Sequence, residues 1–185
     1  MGSETVASTS GGGYSWPTPG RALWVDASVH PAECARFRSY VVCGPDERDC
    51  AIWTGGIGAD GYGRFFVTRE GHGFCVRPNR YALALAAGTP LAADVLALHE
   101  CDNPICVKVC MPGAEVQHVV AGTQQDNMLR MGRARRGGGR PTIARRDCGR
   151  EARRARSVAL REAVRLGWDS AAVETALLGS QPRLF

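Results

Sequence analysis

The sequence predicts an α+β fold with one small core, stapled by a metal ion and followed by a basic, partly helical C-terminal extension. Three observations lead there. Strand-type aromatic runs alternate with helix-type runs inside 185 residues, too few for two full-sized cores. Eight cysteines sit in a chain whose start lacks the basic-then-apolar pattern of a secretory leader, so a reducing compartment is expected, where metal binding or buried thiols prevail over disulfides. The formal charge of +5 is unevenly spread: residues 1–129 hold 9 basic and 13 acidic side chains, residues 130–165 hold 13 and 3, and residues 166–185 hold 1 and 2. No apolar run approaches the roughly 20 residues of a membrane span, so a cytoplasmic protein without a membrane partner is expected.

The elements follow in order. Residues 1–22 are rich in Ser, Thr, Gly and Pro, bury too little to offset their ordering entropy, and are expected to be a disordered lead. Pro31 suits the first turn of a helix running through Cys34, Phe37, Tyr40 and Val41, which Gly44-Pro45-Asp46 breaks. Ala51 to Thr54 and Tyr62 to Val67 are aromatic and β-branched runs around a glycine-rich turn, which predicts a hairpin between them. Asn79 to Ala87 form a helix that Gly88-Thr89-Pro90 stops, and Asp94 to Leu98 form a strand. Thr123 with Asp126 three residues on is a capping-box pattern that opens a helix with Asn127 in its first turn. Residues 133–149 read as a basic flexible linker around Gly137-Gly138-Gly139, and residues 150–185 as C-terminal helices and tail, with a helix to Leu166 and a last one capped at Asp169 or Ser170. The domain proper is thus residues 23–132.

Chemistry concentrates after the strand that delivers His99. Cys101 and Cys106 flank a tight Asn103-Pro104 turn, and with Cys50 and His118 they make a Cys3His set suited to a tetrahedral zinc site. These ligands come from separate parts of the chain, so the metal would hold together loops that a small core leaves loose. Cys110 lies in the insert between Cys106 and His118 and is the alternative fourth ligand; the remaining cysteines have no clear pairing, which leaves a second zinc open.

Taken together, Cys50-Ala51-Ile52-Trp53-Thr54-Gly55, Gly61-Tyr62-Gly63-Arg64-Phe65, His99 to Cys106, His118 and Gly122-Thr123-Gln124-Gln125-Asp126-Asn127-Met128 resemble the motif series of the zinc-bearing His-Me finger (ββα-metal, HNH-like) endonucleases. The resemblance runs from about Cys50 to Arg136. It implies a ββα-metal core, cleavage or nicking of DNA by metal-assisted hydrolysis, and association with the nucleoid. It makes His99 the general base, Asn127 a ligand of a catalytic Mg²⁺, and Cys50, Cys101, Cys106 and His118 the ligands of a structural Zn²⁺. One departure is the spacing, since eleven residues separate Cys106 from His118 where the family has fewer. The roles fit the chemistry: phosphodiester hydrolysis needs a base for water and a cation against developing charge, imidazole titrates close to neutral pH, and an amide oxygen suits an ion that keeps waters and binds phosphate. The other reading of the same residues is a non-catalytic zinc DNA-binding module.

Arg64, Arg77 and Arg80 are candidates for phosphate contact, and so are Arg133, Arg135, Arg136 and Arg140 in the basic segment, whose charge attracts polyanions. Gln181, Leu184 and Phe185 end the chain in a pattern that resembles the Gln-x-x-Leu-Phe peptides of proteins that hold the bacterial sliding clamp. That resemblance implies a clamp partner and a repair- or replication-linked role, against which stand homing and restriction, or a terminus folded back on the preceding helix. A homodimer is compatible with all of these.

Overall fold

The structure, a computed structural model, describes residues 22–110, 113–133 and 143–178. Residues 1–21 of the expected disordered lead, Arg135, Arg136, Arg140 and the terminal Gln181, Leu184 and Phe185 lie outside the described residues. The fold is mixed α and β with small antiparallel sheets. In chain order come α1 (Pro31–Ser39), β1 (Val41–Cys43), β2 (Ala51–Trp53), β3 (Gly56–Ile57), β4 (Gly63–Arg69), β5 (His72–Val76), α2 (Pro78–Ala87), β6 (Leu96–His99), β7 (Val119–Gly122), α3 (Gln124–Arg133), α4 (Ile143–Ala163) and α5 (Ser170–Leu178). The sheets are β1-β2, β3-β4-β5 and β6-β7.

Two sequence expectations are corrected by the pairing. The first helix stops at Ser39, because Val41 and Val42 are β-branched and pair with Trp53 and Ile52 instead of extending the helix. The runs at Ala51 and Tyr62 do not form a hairpin with each other. The first pairs back to β1, and β4 pairs with β3 on one side and with β5 on the other, Phe65 facing Val76 and Arg69 facing His72. The β4-β5 turn is Glu70-Gly71, both at positive φ (51° and 75°), which is the backbone that a two-residue hairpin demands.

An aromatic cluster joins these pieces. Phe37 of α1, Trp53 of β2, Phe65 of β4 and Tyr81 of α2 pack with ring centroids 4.5 to 5.5 Å apart, all of them buried. α2 appears where the sequence places it, begun by Pro78 and ended by Gly88 in the left-handed conformation. Its buried Asn79 donates to the Ala97 carbonyl at 2.8 Å and so fixes α2 against β6. The capping box forms: Thr123 N–H and Oγ1 both reach Asp126 Oδ2 at 2.8 Å, and Asp126 N–H returns to Thr123 Oγ1 at 3.2 Å.

α4 begins at Ile143, inside the stretch read as linker. Buried Ser157 and Leu160 of α4 and Val164 just past its end follow helical spacing, and Leu160 and Val164 join the common core together with Val173 and Ala176 of α5. Asp169 Oδ1 accepts from Ala172 N–H at 3.0 Å, the cap expected for the last helix. No helix among the described residues is long and apolar enough to cross a membrane.

Candidate functional site

Cys50, Cys101, Cys106 and His118 converge, with one donor atom from each within 4.8 Å of the others. The backbone explains how. Residues after the Asn-Pro turn run antiparallel to β2: Trp53 N–H donates to Ile105 O at 2.9 Å and Val107 N–H to Ala51 O at 2.8 Å, which places Cys106 beside Cys50 at the head of β2. Glu100 N–H donates to His118 O at 2.7 Å as β6 and β7 meet, which brings Cys101 and His118 to the same point. Lys108, the sole lysine, donates to the carbonyls of Asp46, Glu47 and Asp49 and anchors the loop that leads into Cys50.

The donor set fits a tetrahedral metal such as zinc. His118 Nδ1 lies 3.6 Å from Cys50 Sγ and 3.7 Å from Cys106 Sγ, and ligands at zinc–sulfur and zinc–nitrogen bond lengths stand about 3.6 Å apart at a tetrahedral angle. Without a metal the thiols share protons. Cys101 is driven well below the ordinary thiol range by hydrogen bonds from Cys106 and then Cys50, whereas Cys50 and Cys106 are held above it, each first by its bond to Cys101. Cys110 stands outside the cluster, so His118 supplies the fourth donor despite the long insert, and no second such group occurs among the described residues. Cys34 is accounted for by its 3.4 Å contact with Tyr81 Oη.

Beside this centre lies a broad cleft of about 1970 Å³. His99 ends β6 on its wall, with its carbonyl held by Arg130 of α3 and its ring 6.2 Å from that of Tyr62. Both ring nitrogens of His99 are covered and neither makes a hydrogen bond of good geometry, although the ring stands near enough to the Cys101 thiol to help lower it. Asn127 lines the same cleft from the first turn of α3, its N–H donating to Thr123 O at 3.1 Å. The two residues singled out in the sequence thus share one cavity, next to the Cys3His cluster but not part of it.

The arginines divide. Arg64 is mostly buried, bound to Asp60 at 2.7 Å and to the carbonyls of Tyr62 and Gly63. Arg77 also reaches Asp60, at 3.1 Å, and lies over the Tyr62 ring at 4.0 Å on the cleft wall. Asp60, held between them, has its carboxyl lowered: burial raises it, but the bonds from Arg64 and Tyr62 outweigh that. Arg80 donates to the carbonyls of Val95 and Ala92, and burial lowers its guanidinium. Arg133 closes α3. Sequence reasoning missed Glu100 and Arg130, which pair at 3.0 Å at the cleft, and Arg153 and Arg156, which reach it from α4. The helical spacing of Ser157, Leu160 and Val164 was the signal that could have placed α4 against the core.

The chain is 35% identical to Protein 7.7 of Escherichia phage T7 over 92 residues, which make up 48% of this chain and 62% of that protein. The match therefore spans less than two thirds of the phage protein's length. No family model matches the chain, and no solved structure matches it.

Proposed function

We propose that the chain is a metal-dependent DNA endonuclease of the zinc-bearing His-Me finger (ββα-metal, HNH-like) type. The observation that carries this reading is the position of His99, a half-buried histidine at the end of a strand whose two ring nitrogens are covered and which shares one cleft with Asn127. Such an arrangement is costly unless a function requires it. Support comes also from chain order, since the antiparallel pair β6-β7 is followed at once by α3, with the Cys3His cluster holding the loop between the strands.

In this mechanism His99 takes the proton of the attacking water, and the bond from Arg130 to its carbonyl holds the strand end in place. Asn127 offers a side-chain oxygen to Mg²⁺. When bound, Mg²⁺ would supply positive charge against that developing on the phosphate and on the leaving oxygen. The Cys3His cluster takes no part in proton transfer; it fixes the loop from Glu100 to His118 and with it the position of His99.

The test is conversion of supercoiled plasmid to nicked or linear forms by the zinc-loaded protein. Activity should require added Mg²⁺ and return when Mg²⁺ is restored after its omission. Failure to cut any DNA form with Mg²⁺ or Mn²⁺, with zinc and DNA binding intact, would replace this reading by that of a non-catalytic DNA-binding module.

A further inference from the structure

The core arginines at the cleft are balanced within the protein: Arg64 and Arg77 share Asp60, and Arg130 pairs with Glu100. Arg153 and Arg156 of α4 differ. Arg153 donates to the Asp60 carbonyl at 3.3 Å and Arg156 to the Asp102 carbonyl at 2.8 Å, and neither has a carboxylate partner among the described residues. Arg156 Nε is buried with no acceptor. Both side chains line the cleft that holds His99 and Asn127, and Arg153 lies 5.5 Å from the centre of the Tyr62 ring that neighbours His99.

The helix that carries them is fixed. Ser157 Oγ, buried, donates to Gly61 O at 2.7 Å, and a Cβ at Gly61 would stand 2.9 Å from the backbone of Arg153 and Arg154. Leu160 and Val164, one and two turns on, have no exposed surface. Two like charges one turn apart destabilise the helix they share, and a guanidinium held rigid with open donors is prepared for an anion.

We infer that Arg153 and Arg156 are phosphate-positioning residues, which hold the nucleic-acid backbone in the cleft beside His99. The inference rests on the nuclease reading and names how that site takes its substrate. It sets α4 apart from a loosely attached basic tail: two of its arginines act from a fixed wall and so constrain where the backbone lies.

The experiment measures binding of a fluorescein-labelled duplex by anisotropy over a salt series, without added divalent cation, for wild type, Arg153→Gln, Arg156→Gln, the double variant and Arg156→Lys. Zinc content and thermal midpoint are measured on the same samples. Each Gln variant should lose affinity on the order of tenfold and flatten the slope of log K against log salt by about 1, the double by about 2. Zinc content should not change. Arg156→Lys should restore the slope and only part of the affinity, because the charge returns without the planar fork. Should a Gln variant fail to fold, phenylglyoxal labelling of the wild type decides: bound duplex should protect Arg153 and Arg156. Wild-type affinity and slope in the double variant, or no protection, overturns the inference. Because binding is read without cleavage, a wild type that binds as expected but cuts nothing would remove the nuclease reading and leave this contact standing.

Discussion

Four side chains make up the candidate metal centre, and three cysteines with one further donor were legible in the sequence because thiolate and imidazole at short loop spacing are a zinc-type donor set. The spacing did not decide between His118 and Cys110. Backbone bonds did, by placing His118 where β6 and β7 meet. Protein purified without added zinc should contain about one equivalent, and Cys106→Ser should contain none and lose its cooperative thermal transition, since a partly buried ligand set without its metal leaves the thiols crowded together. Metal analysis with calorimetry checks both. Arg64 illustrates what the sequence hides: its type suggests phosphate contact, but only the folded turn brings Asp60 back to it.

At the scale of elements, α1 is tied to β4 by Glu33 and Arg69, whose Nε and Nη2 donate to the two carboxylate oxygens at 3.1 and 2.7 Å. Burial pushes the Glu33 carboxyl up, but the hydrogen bonds from Arg69 and Tyr81 outweigh it and hold the group below its ordinary value of 4.5. The stability this contributes is therefore complete above that value and fades as the pH falls through the lower folded one. Glu33→Gln should cost about 1–3 kcal/mol at neutral pH, and its thermal midpoint should fall less steeply than that of wild type in acid. An equal acid slope in both proteins would mean that this pair does not couple α1 to β4. The helices and strands were legible from periodicity and turn residues; the partners of the strands were not. Ala51 to Trp53 is apolar and buried at every position, so no alternation chooses between β1 and β4 as its partner, and the contacts of Trp53 with Phe37 and Phe65 accompany the pairing with β1.

For the whole molecule, the C-terminal helices α4 and α5 are part of the core. A helix to Leu166 was expected, but the charge count and the glycine run hid its earlier start at Ile143 and its docking, by which Leu160 and Val164 join the core and Arg153 and Arg156 line the cleft. Removal of all residues beyond Gly132 should then lower the thermal midpoint of the remaining chain as well as its affinity for DNA, because it uncovers apolar surface on β2 and β3, where α4 packs. A truncated protein as stable as the full chain would restore the picture of a separable tail. The proposed pairing of a zinc-stapled loop with a base at His99 is put to the test by nicking of supercoiled plasmid with Mg²⁺, comparing wild type with His99→Ala at equal zinc content. Wild type should cut, and His99→Ala should bind the same DNA and leave it intact; cutting at the wild-type rate by His99→Ala would contradict the account.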